Sequence, residues 1–141
     1  MRELERSGSP AVNSSETIDI EKLINSAEAV GEIKLITKMI PDEEVTFLRH
    51  LVDQIRNTAK PSVIALFSVK DSKVNMIVSL TKDLAHSKLD AKNMSQAVAT
   101  LLDGSAGGRK DLAQGGGRNV KGIERALKTL ASLIREEIEK P

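Results

Sequence analysis

Residues 103–119 read DGSAGGRKDLAQGGGRN and hold six of the nine glycines of the protein: Gly104, Gly107, Gly108, Gly115, Gly116 and Gly117. Glycine reaches positive φ at no steric cost and lets a backbone approach another backbone or a ligand closely. Such a cluster therefore serves a phosphate cradle, a tight structural turn or a flexible loop alike. Two nucleotide fingerprints fail letter by letter, since there is no G-x-x-x-x-G-K-[ST] and no G-x-G-x-x-G between a strand and a helix. ATP and dinucleotide sites are thus unsupported. The stretch and its sequel do carry charge of one sign: from 104 to 128, Arg109, Lys110, Arg118, Lys121, Arg125 and Lys128 stand against Asp111 and Glu124 alone.

Downstream, Val120, Ile123, Leu127, Leu130, Ile134 and Ile138 form the apolar stripe of a helix. Arg118, Lys121, Arg125 and Lys128 repeat at spacings of 3, 4 and 3. An offset of two residues is a rotation of about 200°, which puts the basic stripe opposite the apolar one. A solvated helix face gives the same pattern. A glycine turn, a helix N-terminus and nearby Arg and Lys are nevertheless the parts from which phosphate sites are built, and here they adjoin.

Upstream, SVIALFSV at 62–69 is a nearly unbroken apolar run, as expected of a strand buried on both faces of a sheet. KDSK at 70–73 is a polar turn, and VNMIVSLTK returns as a second strand, so 62–82 reads as a hairpin. IKLITKMI at 33–40 is a further strand, closed by Pro41. The acids of PDEEV open a helix that carries Val45, Leu48, Val52 and Ile55 inward as far as about Asn57. Asp90 or Asn93 starts another, with Met94, Ala97 or Val98, Leu101 and Leu102 inward and Asp103–Gly104 as its stop. Ile18, Leu23, Ala27 and Val30 predict a helical segment over 15–30 that Gly31 ends. Residues 1–14, rich in charge, Ser, Gly and Pro, read as a flexible or truncated end.

At 141 residues and 15.3 kDa the chain has room for one domain, expected to be α/β with a mixed sheet built on 33–40, 62–69 and 74–82 and flanked by helices, the glycine-rich segment being open to reading as one more strand of that sheet. Its net charge of +1 names no partner by itself. The lack of cysteine excludes disulfides, thiolate metal sites and cysteine nucleophiles, and fits a reducing compartment. No apolar run approaches the roughly 20 residues of a membrane span, and Met1 is followed by a charged stretch, so a cytoplasmic protein without a membrane partner is expected. Phe47 and Phe67 are the only aromatic residues, both at core positions, which disfavours a surface that reads bases by stacking on rings. Met39, Met76 and Met94 also fall at apolar positions. His50 and His86 lack a second ligand nearby, so no metal, cofactor or catalytic role is expected of them.

The string GGRKDLAQGGGRN, 107–119, between a short helix and an amphipathic one, resembles the glycine-rich signature of the DHHA1 domain in the form found at the C-terminus of alanyl-tRNA synthetases. The likeness extends upstream through Val74–Arg109 and covers about 31–138. Lys110 stands where that family commonly has proline, and Arg118 follows Gly117 where the related phosphodiesterases have histidine. What the resemblance implies is a DHHA1-like globular domain over 31–141 that is not catalytic by itself, belongs to an alanine-tRNA ligase, and binds the outer corner of tRNA to assist aminoacylation and editing. It further implies alanine tRNA foremost as partner and a homodimer through the helical segment; single-stranded nucleic acid is a further ligand to consider on the basic charge alone. The residues it marks for nucleic-acid binding are Gly107, Gly108, Arg109, Lys110, Gln114, Gly115, Gly116, Gly117, Arg118, Lys121 and Arg125. Asp111 and Gln114, as short polar side chains, are expected to organise the loop by hydrogen bonds to backbone N–H groups. The alternatives are the substrate-binding lobe of a DHH phosphodiesterase and an oligomerisation module.

Overall fold

The structure, a computed structural model, describes residues 20–84 and 89–139, with side chains as far as 137. Within them the strands β1 (Glu28–Val30), β2 (Ile33–Pro41), β3 (Ser62–Lys70), β4 (Lys73–Leu80), β5 (Ser105–Gly108) and β6 (Leu112–Gly117) form one sheet in the order β1-β2-β3-β4-β6-β5. Only β2 and β3 pair in parallel, joined by the crossover helix α2 (Val45–Thr58); all other pairs are antiparallel. The expected single α/β domain with a mixed sheet is what forms.

The apolar run of β3 is explained by its place, because both of its faces are covered. Ile64 and Leu66 pack with Ile36, Ile77 and the buried residues of α2, beside α1 (Ile20–Asn25). Val63, Ala65 and Phe67 face the other way, against α3 (Ala91–Leu101) and α4 (Ile123–Glu139). The β3–β4 turn places Asp71 and Ser72 at φ 52° and 64°, the left-handed pair that a two-residue hairpin requires. Asp90 caps α3, its side chain accepting from the N–H groups of Lys92 and Asn93 at 2.8 and 3.2 Å. Such a cap stabilises a helix by about 1 kcal/mol.

Four expectations need correction. The helical segment predicted over 15–30 is helical at Ile20–Asn25 only, and Glu28–Val30 is a strand paired with Ile33–Leu35. Leu23 and Val30 are both buried, but on opposite faces of the sheet, so their helical spacing does not mark one face; Gly31, at φ 63°, turns a hairpin instead of ending a helix. Residues 15–19 lie outside the described residues. Strand β4 ends at Leu80, and Lys82–Leu84 form a 3-10 turn. Val120 belongs to another 3-10 turn, Val120–Gly122, and is 37% exposed; the buried stripe of α4 is Ala126, Leu130, Ala131 and Ile134. The side chain of Ile138 lies outside the described residues. Met39, 48% exposed near the end of β2, is not a core residue.

Candidate nucleic-acid interface

Of the loop and the added strand that the glycine-rich stretch left open, the structure has the strand, in the form of a hairpin, β5–β6, added to the sheet beyond β4. As β6 lies between β4 and β5, its backbone amides serve the two ladders. The N–H groups of Arg118 and Asn119 both donate to the Leu102 carbonyl, at 2.8 and 2.9 Å, and Asn119 Nδ2 donates to the Leu101 carbonyl at 3.1 Å. The expected cradle of free amides leading into a helix N-terminus is thus absent from 115–119, because those donors hold the sheet and the end of α3. Here glycine permits close packing: a Cβ at Gly116 would overlap the Val74 carbonyl, and one at Gly117 the Leu102 carbonyl.

The β5–β6 turn carries Arg109, Lys110 and Asp111. It is pinned at three points: the N–H of Arg109 donates to the Leu112 carbonyl at 2.8 Å, that of Ala91 to the Lys110 carbonyl at 2.7 Å, and that of Leu80 to the Asp111 carbonyl at 3.0 Å. Ser79 Oγ adds a bond to the same Asp111 oxygen at 2.9 Å. The side chain of Asp111 faces two guanidinium groups, Arg56 at 3.8 Å and Arg109 at 3.7 Å. The side-chain hydrogen bonds to backbone N–H groups expected of Asp111 and Gln114 are not what holds the turn: the Asp111 carboxylate meets guanidinium groups, and the residue's backbone carbonyl makes the tie to β4. Gln114 instead projects, exposed, from the sheet face that carries α2, as its pairing with Ile77 dictates.

Arg118, Lys121, Arg125 and Lys128 are all exposed. Arg118 and Lys121 precede α4, so the stripe begins ahead of the helix and continues onto it. This group leaves β6 at the end opposite Arg109 and Lys110. Five steps of strand separate Leu112 from Gly117, roughly 17 Å at the usual rise. The predicted site residues therefore form two basic clusters, one at each end of the hairpin.

A third basic surface was missed by sequence reasoning. On the sheet face opposite α3, the hairpin is covered only in part, by the packing of Leu112 against the α2-side core, and between it and α2 lies a cavity of about 400 Å³ lined by Arg49, Gly107, Gly108, Arg109, Leu112, Ala113 and Gln114. A second cavity of about 390 Å³ lies along α2, lined by Asp53, Arg56, Asn57, Lys60 and Lys82. Arg49, Arg56 and Lys60, spaced by seven and four, share one side of α2 and its end. That spacing was the available signal. His50 is exposed on α2, and His86 lies outside the described residues. Among the described residues no group of three or more His, Cys, Asp or Glu could hold a metal ion, and no helix is long and apolar enough to cross a membrane.

Comparison with known proteins agrees with this architecture. The DHHA1 domain model matches residues 32–136. An alanine-tRNA ligase of Roseiflexus sp. (strain RS-1) is 34% identical over 116 residues, 82% of this chain and 13% of that protein. That of Oleidesulfovibrio alaskensis is 35% identical over 112 residues, 79% of this chain and 13% of that protein. The chain thus spans about an eighth of the length of these curated relatives. The crystal structure of the C-Ala domain from Aquifex aeolicus alanyl-tRNA synthetase superposes with a TM-score of 0.74 at 33% identity, covering 78% of this chain and 98% of that one. By family model, sequence and fold together, the chain belongs to the DHHA1 domain family, in the form of the C-terminal domain of alanyl-tRNA synthetase.

Proposed function

We propose that this chain is a tRNA-binding accessory domain of an alanine-tRNA ligase, gripping the outer corner of tRNA, alanine tRNA foremost, so that aminoacylation and editing act on one bound molecule in the cytoplasm. The observation that carries the reading is the pair of exposed basic clusters at the two ends of the β5–β6 hairpin, in a domain of this family. A surface of arginines and lysines without exposed aromatic rings recognises phosphate and shape more than base identity.

The test is a titration of the chain with folded tRNA at several salt concentrations, beside single-stranded DNA of matched length. Log K for tRNA should fall by about 2 to 4 per log unit of salt, as neutralisation of three to five phosphates predicts. Equal affinity for both ligands would reduce the domain to a generic strand binder, and no binding to either would remove the reading. A homodimer through the helical segment of 15–30 is tested by the molar mass of the whole chain and of one lacking residues 1–27, which removes α1. The deletion stops there because Glu28–Val30 is a strand of the sheet.

A further inference from the structure

Gly107 has no structural need to be glycine. A Cβ built there meets no atom within 4 Å, whereas one at Gly104, Gly108, Gly115, Gly116, Gly117 or Gly122 would collide with backbone. Its φ is not among the positive ones either; among the described glycines those belong to Gly31 and Gly108. Glycine on an edge strand costs conformational entropy, and at this position neither packing nor backbone conformation explains it. What the missing side chain leaves open is the cavity of about 400 Å³ between α2 and the hairpin.

The walls of that cavity are made for an anion. Arg49 lines it from α2 and Arg109 from the turn, both exposed, and Gln114 adds a neutral amide that can donate hydrogen bonds. Arg109 is shared with Asp111, but Arg49 makes no ion pair with any described residue. The neighbouring surface continues the same sign, with Arg56, Lys60 and Lys82 against Asp53 and Asp111. Two arginines on the lining of one cleft suit a phosphate, whose oxygens accept forked guanidinium N–H donors.

We infer that this groove seats a phosphodiester of the bound RNA, with Arg49 and Arg109 as its cationic walls and Gly107 as the open floor that admits it. The inference rests on the tRNA-binding reading and adds to it a position and a residue, Arg49, outside the glycine-rich signature.

The groove is tested in the whole chain by titrating folded tRNA against Gly107→Val, Arg49→Ala and, as a reference for the distant cluster, Arg118→Ala. Gly107→Val fills the cavity from a position where a side chain meets nothing, so its thermal midpoint should match that of the unmodified chain. Both groove variants should weaken tRNA binding by roughly five- to ten-fold, and Arg49→Ala should reduce the salt slope by about one, the signature of one lost phosphate contact. Unchanged affinity and slope in the groove variants, with Arg118→Ala weakened, overturns the groove and leaves tRNA binding standing. No binding by the unmodified chain overturns both. If Gly107→Val fails to fold, Arg49→Ala decides alone.

Discussion

Asp111 and Arg56 meet across the outer part of the sheet, carboxylate to guanidinium at 3.8 Å, tying the turn of the β5–β6 hairpin to the crossover helix α2. The same carboxylate lies 3.7 Å from Arg109. It is a negative charge placed inside a basic surface, half exposed and therefore of small energetic weight. Asp111→Asn should change stability by less than about 1 kcal/mol, since the turn is also held through backbone bonds to Leu80 and Leu112. It should tighten tRNA binding several-fold at low salt, with the gain shrinking as salt screens the added net charge. Titration at two ionic strengths checks this; a loss of affinity would mean that Asp111 matters by placing Arg109.

The glycines of the hairpin should divide sharply by position. At Gly116 and Gly117 an added methyl meets the carbonyls of Val74 and Leu102, backbone atoms that cannot swing aside. Alanine at either should destabilise by about 2 kcal/mol or more. Gly107→Ala should be neutral or about 0.5 kcal/mol more stable, because it meets nothing and restricts the unfolded chain. Urea unfolding of the three variants checks the order; equal losses would mean that the hairpin tolerates no substitution for reasons other than close approach.

The central strands were legible because burial on both faces leaves a plain sign, as in SVIALFSV, and α2 because Leu48, Val52 and Ile55 repeat on one side. The edges were not. A glycine-rich strand offers no alternation of side chains to read, so LAQGGG left loop and strand both open until its ladder with β4 decided for the strand. Its glycines were informative about close packing, and the anion cradle suggested by their number dissolved once their amides were counted in the sheet. Leu23 and Val30 misled in the opposite way, being apolar at helical spacing while facing different layers. Of the candidate site, the cations were identified from sequence, but their division between two ends of a strand depended on topology, and Arg49 gained meaning only beside a hairpin that follows it by more than fifty residues.

Glu44 and Lys70 give the fold a pH dependence of known sign. Lys70 Nζ donates to Glu44 Oε1 at 2.9 Å, and this bond, with the attraction between the charges, holds the Glu44 carboxyl below its ordinary value and raises the Lys70 ammonium above its own. A lowered carboxylate contributes stability that is present above its unfolded value and lost as pH falls through the folded one; a raised ammonium contributes stability lost as pH rises through its folded value. Glu44→Gln should therefore be less stable than the unmodified chain at neutral pH, with the difference closing in acid. The effect is small, because both groups are exposed to solvent. Unfolding at pH 7 and below the carboxylate range, with an NMR titration of Glu44, checks both the sign and its source.

Arg109 and Arg118 sit beyond opposite ends of β6, and the strand alone keeps them roughly 17 Å apart. Contacts so separated, with no shared partner, should add in free energy to within about 0.5 kcal/mol. If one tRNA is held at both ends of the hairpin, the fold-losses of Arg109→Ala and Arg118→Ala should multiply in the double variant, and each single change should lower the salt slope by about one. Neither should alter the unfolding midpoint by much, as both side chains are exposed. A stem-loop too short to span the strand should respond to one of the two substitutions and ignore the other. A double variant no weaker than the worse single one would show that the two clusters do not hold one ligand at the same time, and the tRNA would then have to lie along a single end of the hairpin.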